Sequence, residues 1–173
     1  MTRITLFLFL LCLVSSCAGV GVDMNLQKKT RAQRYFRAVY ECKPLVINEL
    51  AAEDIVISYP IFKQIFGKPA LRGLKEVKAF SARFCSRWLD TKLTINEAVV
   101  GPDKVVLVWT FSARDSQAKE KESAKWGGIT LFHFDSEGKI SAELGEESAP
   151  GPIERLRDAA GHYDSASEPR AIP

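Results

Sequence analysis

The side chains in this sequence whose types and spacing suit chemistry are carboxyl and phenol groups, and the reaction they suit is proton transfer. Three glutamates lie in segments that alternate like β-strands: Glu97, Glu143 and Glu146. Glu143 stands between Ala142 and Leu144, so an inward orientation would make it a general base among apolar neighbours. The alternative for all three is a carboxylate on a solvated strand face.

The sequence argues against other kinds of active site. It has two histidines, His133 and His162, so a histidine-built zinc site is close to excluded. It has no glycine-rich phosphate loop, nucleophile elbow or paired-cysteine redox motif. Gly127 and Gly128 lie within a strand pattern, where they mark a bulge or a close approach to a ligand. We therefore expect neither a metal nor a cofactor.

Cys42 and Cys85 are the cysteines that remain beyond the N-terminal segment. In an oxidising compartment the two would be able to form a disulfide. The alternative is a pair of buried free thiols, and the sequence leaves both open.

Length and composition bound the remaining classes of protein. The chain has 173 residues, of which 46% are hydrophobic and 26% charged, values that are typical of a globular protein. One domain of this size buries roughly 68–70% of its unfolded surface, enough for a core and an internal pocket. Lys and Arg number 24 and Asp and Glu 21, for a net charge of +3. That near balance argues against nucleic acid as the main partner.

Residues 1–19 have the order of a secretory signal peptide. The apolar run over residues 4–14 is shorter than the ~20 apolar residues of a membrane-spanning helix. Residues 13–17 resemble a bacterial lipobox, in which Cys17 would carry the lipid; the alternative is cleavage after Ala18. We expect an exported protein, secreted or periplasmic, that contacts a membrane only through a lipid on Cys17.

The chain divides into a signal peptide (1–19), a linker (20–27), a folded domain (28–148) and a C-terminal short helix with a disordered tail (149–173). Helical periodicity predicts helices over 28–43, 45–52 and 74–89. A β-rich run covers 54–59, and period-two alternation predicts strands over 92–100, 104–113, 127–134 and 139–146. The charged link 114–125 is expected to be a mobile hairpin tip. Helices followed by hairpin strands indicate an α+β fold.

The strand predicted over 104–113 is apolar on both faces. One face can pack on the helices, and the other then needs cover. A second subunit would supply that cover, so we expect a homodimer.

The order and spacing of these elements resemble the nuclear transport factor 2-like superfamily, in particular its SnoaL-like and ketosteroid isomerase-like branch. Three stretches carry the resemblance: residues 33–39, residues 54–60 followed by Gly67 and Gly73, and residues 128–135 followed by 138–140. The resemblance implies a cone-shaped barrel. In it, three N-terminal helices pack against a curved, mostly antiparallel sheet that encloses an apolar pocket.

The resemblance also implies roles for individual residues. In ketosteroid isomerases a carboxylate removes a proton next to a carbonyl, while a Tyr and a protonated Asp stabilise the enolate. By position the Tyr corresponds to Tyr35, the base to Tyr59 and the second donor to Thr130. A tyrosine with a pKa of about 10 is a poor base at neutral pH, so steroid isomerisation by the family mechanism is not expected. Glu143, if inward, is the best replacement base. SnoaL-like cyclases use a pocket His and Asp, but alternation places His133 on the face opposite Thr130.

Two functions follow from the resemblance. The first is a domain that binds a small apolar or polyketide-like molecule and catalyses proton transfer of the isomerase, cyclase or dehydratase type. Its catalytic candidates are Tyr35, Tyr59 and Glu143, and its ligand-binding candidates are Trp109, Trp126, Thr130 and Phe132. The alternative is a non-catalytic module of the same fold, secreted or lipid-tethered, that holds a ligand or a protein partner.

Overall fold

The computed structural model describes residues 17–117 and 123–147, with side chains from Met24 onward. Residues 1–16, 118–122 and 148–173, the last including His162, lie outside the described residues. The predictions made for those segments therefore stay predictions.

Four helices and six strands follow one another along the chain. They are α1 (Cys17–Tyr40), α2 (Pro44–Leu50), β1 (Ala51–Ser58), α3 (Phe62–Phe66), β2 (Ala70–Arg72), α4 (Gly73–Arg87), β3 (Trp88–Val100), β4 (Lys104–Asp115), β5 (Ser123–Phe134) and β6 (Ile140–Glu147). The strands form one curved sheet in the order β2-β1-β6-β5-β4-β3, against which the helices pack. The predicted α+β class is confirmed.

Helix α1 packs on the concave side of the sheet because its apolar residues recur at helical spacing. Ala32, Phe36 and Val39 are fully buried, whereas Arg34 is half exposed and pairs with Glu49. The helix begins at Cys17, so residues 20–27, predicted to be a linker, are helical. No proline interrupts that stretch, and a helix once formed extends readily.

The helix boundaries near α2 and α4 differ slightly from those predicted. Pro44 opens α2 at its first turn, one residue before the predicted start, where a proline is well tolerated. That helix ends at Leu50, and the next two alanines are buried in β1 because the strand pairs with β6. Helix α4 ends at Arg87, since Trp88 is already in extended backbone and begins β3.

The four strands of the meander occur in the predicted order, and all three of their pairings are antiparallel. β1 adds to this meander by pairing in parallel with β6, where Ile57 faces Glu143. Residues 61–73, for which the sequence predicts neither a helix nor a strand, hold the five-residue α3 and the short β2. The link predicted over 114–125 is partly strand: β4 extends to Asp115 and β5 begins at Ser123, because the ladder between them continues to those positions.

A disulfide joins the end of α1 to α4. Cys42 and Cys85 are bonded, with their Cα atoms 6.0 Å apart, which settles the question that the sequence left open. Cys42 itself has a left-handed backbone (φ 67°), which ends α1 and turns the chain into α2. In the part of the chain that the structure describes, no helix is long and apolar enough to cross a membrane.

Candidate active site

Glu143 is the buried carboxyl at the centre of the concave face. β6 carries it inward with no exposed surface, opposite Phe132 on β5 and Ile57 on β1. Both neighbours are fully buried, so the carboxyl sits in an apolar layer. The inward orientation, one of two alternatives in the sequence, is the one observed.

A chain of hydrogen bonds across three elements ends on this carboxyl. The Tyr59 hydroxyl donates to Glu143 Oε1 at 2.7 Å and lies 3.0 Å from Thr130 Oγ1. The Trp109 Nε1–H donates to the same threonine oxygen at 2.9 Å. Because Tyr59 has one proton and gives it to Glu143, the threonine hydroxyl must donate to the Tyr59 oxygen. Every donor in the chain from Trp109 therefore points towards the carboxyl, and each bond polarises the next.

Two glycines make room for this chain. A Cβ on Gly145 would lie 2.0 Å from the Tyr59 ring, and a Cβ on Gly128 would lie 2.5 Å from the Trp109 ring. Neither distance is possible for real atoms, so both rings need glycine beneath them. Gly128 pairs with Trp109 in an uninterrupted ladder, so it does not mark a bulge. The group that approaches it closely is the Trp109 indole.

Two further tyrosines of α1 point at the same carboxyl. The Tyr40 hydroxyl lies 3.5 Å from Glu143 Oε1, at the limit of a hydrogen bond. The Tyr35 hydroxyl and Glu143 Oε2 are both buried, and neither makes a hydrogen bond of ordinary geometry with a described residue. The Tyr35 hydroxyl is still close enough to the carboxyl to lower its pKa. An unpaired buried polar atom costs free energy, and such atoms concentrate where a ligand or water binds.

Burial controls the protonation of these groups. Loss of solvent raises the pKa of Glu143 to about 7, and the hydroxyls of Tyr59, Tyr35 and Tyr40 oppose that increase. The pKa of each of the three tyrosines is raised well above its ordinary value, first by burial and second by the Glu143 carboxylate. Glu143 is therefore close to half-ionised at neutral pH, whereas the tyrosines remain hydrogen-bond donors.

The structure places the other predicted site residues as follows. Phe132 packs edge-on against Tyr35, with ring centroids 6.1 Å apart, and so belongs to the site. Trp126 packs instead on Phe111 and Trp88, one ring further from the carboxyl, since Phe111 lies between it and Tyr40. Glu97 and Glu146 are exposed, and His133 is half-buried on the outward face. The exposure of Glu97 and Glu146 is the solvated alternative stated for them, and His133 lies on the face opposite Thr130, where alternation placed it.

Two residues of this region were not singled out from the sequence. The first is Tyr40, whose helical spacing marks a buried position of α1 but gives no sign of the carboxyl that it meets. Glu147 lies two residues after Gly145 on the same face of β6, and burial raises its pKa to about 7, with the Glu146 carboxylate as the second cause. The period of two from Glu143 was the signal that would have found it.

Two open grooves flank the buried network. The α3–α4 groove, of about 410 Å³, is lined by Ile65, Phe66, Lys68, Leu71, Glu76, Ala79, Phe80 and Arg83. The outer-sheet groove, of about 700 Å³, is lined by Ser58, Tyr59, Pro60, Lys63, Pro69, Val106, Ile129, Leu131, Leu144, Gly145 and Glu146. Among the described residues no group of three or more His, Cys, Asp or Glu side chains is placed to hold a metal ion.

Known proteins share this arrangement of elements. The SnoaL-like domain family matches residues 32–143, a span that contains the whole network from Tyr35 to Glu143. No curated protein matches the sequence. A protein from Catenulispora acidiphila with a ketosteroid isomerase-like fold, solved with trimethylamine, is 15% identical, with a TM-score of 0.56 over 66% of this chain and 82% of that one.

Two enzymes are also similar in structure. SalBIII, an epoxide hydrolase/cyclase-like enzyme of pyran ring formation in the polyether salinomycin, is 16% identical, with a TM-score of 0.59 over 72% of this chain and 93% of that one. An LEH-like epoxide hydrolase from M. tuberculosis is 12% identical, with a TM-score of 0.59 over 79% and 94%. At these identities the likeness shows the shared fold alone.

Proposed function

The chain belongs to the SnoaL-like domain family, and we propose that it binds a small, largely apolar molecule against Glu143 and transfers a proton on that molecule. The observation that carries the proposal is the Glu143 carboxyl, fully buried, held by Tyr59 through Oε1 and unpartnered at Oε2. A general base works best when its pKa lies near the working pH, and burial raises the pKa of Glu143 to about 7.

The proposed step is a proton transfer next to a carbonyl. Glu143 Oε2 takes the proton from the carbon, the C–H electron pair becomes the enolate double bond, and the carbonyl π pair moves to oxygen. The unpartnered Tyr35 hydroxyl, whose pKa is well above its ordinary value, stays protonated and donates a hydrogen bond to that oxygen. Glu143 then returns the proton to the same carbon or to a conjugated one. Tyr59 keeps Oε1 fixed throughout.

Proteins of similar fold support this class of substrate. SalBIII is an epoxide hydrolase/cyclase-like enzyme of pyran ring formation and the M. tuberculosis protein is an LEH-like epoxide hydrolase, and their folds match this one over most of their length. Phe36 and Phe132 on the concave face supply apolar contact beside the carboxyl, their ring centroids being 5.7 Å apart. We propose a polyketide-like or similarly apolar compound as the ligand.

The test begins by capturing the ligand. Residues 20–173 purified gently from an exporting host are examined by native mass spectrometry, and the expected result is an added mass that is lost on activation. The recovered compound is then incubated with the protein in heavy water. The wild-type chain should incorporate deuterium next to the carbonyl, whereas Glu143→Gln should still bind the compound without exchange. Equal exchange by Glu143→Gln would remove Glu143 as the base.

A second candidate function is a non-catalytic module that holds a protein partner. The observation that favours it is the outer-sheet groove, where Ile129 is 54% exposed and Leu144 41% exposed. Under this hypothesis the Tyr59–Glu143 pair would only hold β1 against β6. Ligand-free protein that captures no small molecule and shows no deuterium exchange with a panel of ketones would favour it.

We also propose that the chain is exported, from the signal-like order of residues 1–19. Expression of the full chain in a bacterial host should yield a mature protein that begins near residue 17 or 19. A mass increase corresponding to lipid on Cys17 indicates the lipidated form, and a clean start at Gly19 indicates ordinary cleavage. Retention of Met1 in the mature protein would contradict export.

A further inference from the structure

We propose that the α3–α4 groove is the entrance to Glu143, and that it admits a flat apolar molecule with one anionic group that Arg83 binds. This inference rests on the proposed function, because it assigns the route and the substrate class of the same site. It is carried by three observations: a layer of aromatic rings between groove and site, the local balance of charge, and the closed sheet on the other side.

The groove is separated from the buried network by aromatic side chains. Phe66 and Phe80 form its wall, with ring centroids 6.0 Å apart, and both are only partly buried. Behind them Phe62 lies 5.2 Å from Phe66 and 5.3 Å from Tyr59, measured between ring centroids. On the α4 side, Phe80 lies 6.1 Å from Tyr40. Two rows of rings thus lead inward from the groove, one through Phe62 to Tyr59 and one from Phe80 to Tyr40. Each row ends on a tyrosine that reaches the Glu143 carboxyl.

The outer wall of the groove belongs to a small element. α3 has five residues and ends at Phe66, and the left-handed backbone of Gly67 (φ 72°) turns the chain towards β2. The Phe66 ring is held by contacts with the Phe62 and Phe80 rings, and Phe66 belongs to no strand of the sheet. Rotation of Phe66 and Phe80 would therefore open a path without breaking the sheet.

The charge of the groove is unbalanced towards positive. Lys68 and Glu76 form an ion pair at 2.6 Å, and Glu76 also accepts a hydrogen bond from the Arg72 backbone N–H at 2.8 Å. These groups satisfy one another. The Arg83 guanidinium lies over the Phe66 ring at 5.7 Å and has no carboxylate partner in the part of the chain that the structure describes. A planar cation on an aromatic face is a suitable receptor for a sulfonate or carboxylate attached to an apolar body.

The outer-sheet groove does not offer an equivalent entrance. Its floor is formed by β4, β5 and β6, and Val106 pairs with Leu131, which in turn pairs with Leu144, in continuous ladders. A molecule passing through this floor would have to separate hydrogen-bonded strands to reach the concave side. Where Tyr59 itself lines the groove it is only 1% exposed, because its ring fills the space over Gly145. The groove also carries charges of both signs, Lys63 and Glu146, so it selects no anion.

Two fluorescent probes with the same aromatic body test the substrate class. Anilinonaphthalene sulfonate carries one anionic group, and phenylnaphthylamine is its neutral counterpart. We expect Arg83→Gln to weaken binding of the sulfonate about tenfold and binding of the neutral probe by less than about twofold. Lys75→Gln, which removes an exposed cation on the same helix outside the groove, should change neither. Equal losses for both probes, or none, would overturn the role of Arg83.

Chemical labelling of Glu143 tests the entrance itself, independently of any catalysis. A water-soluble carbodiimide with an amine nucleophile should label Glu143 slowly, and saturating sulfonate probe should protect it at least about fivefold. Ala79→Phe, which fills the groove from an exposed position on α4, should protect it without a probe. The exposed Glu97 serves as the internal reference and should be labelled equally throughout.

Unchanged labelling of Glu143 with the groove filled, or no labelling at all, would overturn the entrance. These outcomes are distinct from a failure of the proposed function. Protection of Glu143 without deuterium exchange would support the proposed entrance and contradict the proposed proton transfer. Exchange without protection would support the proton transfer and contradict the entrance.

Discussion

At Glu143 a carboxyl is buried without a cationic partner among the described residues, and this makes the stability of the fold depend on pH. Burial raises its pKa from 4.5 to about 7, so the native state binds more protons than the unfolded chain between those values. Stability therefore falls as pH rises from about 4.5 to about 7 and stays low above that range. The total loss for this shift is about 3 kcal/mol.

We expect Glu143→Gln to remove that decline, because a neutral amide of similar shape has no charge to bury. The free energy of unfolding in urea is measured at about pH 5 and about pH 8 for both proteins. The decrease between the two pH values should be smaller in the variant than in wild type, by about 3 kcal/mol. Glu147 is the matched control, since burial raises its pKa to about 7 as well. Glu147→Gln should remove its own part of the decline and leave that of Glu143. An unchanged pH dependence in Glu143→Gln would show that this carboxyl is not buried.

The Tyr59 hydroxyl opposes the effect of burial, so its removal should move the titration of Glu143. It donates to Oε1 at 2.7 Å, which stabilises the carboxylate. In Tyr59→Phe we expect the pKa of Glu143 to rise further above 7, with a cost in stability of about 1–2 kcal/mol for the lost bond. Infrared spectroscopy of the carboxyl band against pH measures the shift directly.

Activity should follow the same titration. The carboxylate is the basic form, so the rate should increase with pH through about 7 in wild type and at higher pH in Tyr59→Phe. Because all three tyrosine pKa values are raised well above 10.0, no decline is expected below that pH. A Tyr59→Phe profile identical to wild type would contradict the assigned bond. Ser86→Ala, which removes an exposed hydroxyl at the end of α4, is the control.

At the residue scale the sequence reveals part of this site. Alternation along β6 identified Glu143 as a possible inward acid, and the resemblance placed Tyr35, Tyr59 and Thr130. It did not identify Tyr40, because helical spacing describes which face is buried and not which polar atom lies across from it. Whether Glu143 faces inward depends on the register of β6 against β1 and β5, and that register follows from packing across the whole sheet.

At the scale of elements, the Tyr59 ring that packs across β6 determines which residue that strand can carry at position 145. Gly145 is the position where Tyr59 crosses the strand, since a Cβ there would lie 2.0 Å from the ring. Gly145→Ala must displace Tyr59 and lengthen its bonds to Glu143 and Thr130. We expect a loss of about 1–3 kcal/mol in the free energy of unfolding, together with a shift in the Glu143 titration. Gly101→Ala is the control, because its Cβ would meet the flexible Lys104 side chain at 3.4 Å.

The measurement is chemical denaturation combined with the infrared titration used for Glu143. A Gly145→Ala protein as stable as Gly101→Ala, with an unchanged carboxyl titration, would contradict the close approach. The sequence contained both glycines of the site within strand patterns but gave no means to know what crosses them. In both cases the partner is distant in sequence, Tyr59 for Gly145 and Trp109 for Gly128.

Elements with a strong period were predicted well, and elements built from few residues were not. The meander of β3 to β6 follows from a period of two sustained over whole strands. α3 and β2 have five and three residues, too few to show a period, and β2 exists because it pairs with β1. These short elements form the wall of the α3–α4 groove, so the proposed entrance is the part of the site least visible in the sequence.

At the scale of the whole molecule, the fold has one face that its own chain leaves uncovered. The concave side of the sheet is closed by α1 and α4, whereas the convex side presents Val106, Ile129, Leu131 and Leu144 around the outer-sheet groove. Ile129 is 54% and Leu144 41% exposed. The sequence predicted this face from the two-sided apolar character of β4, and contiguous apolar surface of this kind is typical of an interface.

A second copy of the chain is the occupant we expect, in a two-fold dimer that pairs the convex faces. Each copy then covers the apolar strand positions of the other, and Lys63 and Glu146 at the groove provide charges of both signs for a self-complementary contact. Sedimentation velocity at micromolar concentration should give a dimer for wild type. Ile129→Lys combined with Leu144→Lys should give a monomer that keeps the Glu143 titration, because the site lies on the opposite face. Leu45→Lys, at an 82% exposed position on α2, controls for added charge and should remain dimeric. A wild-type monomer, or a dimer unaffected by the double substitution, would contradict this interface and leave the convex face to a different protein partner.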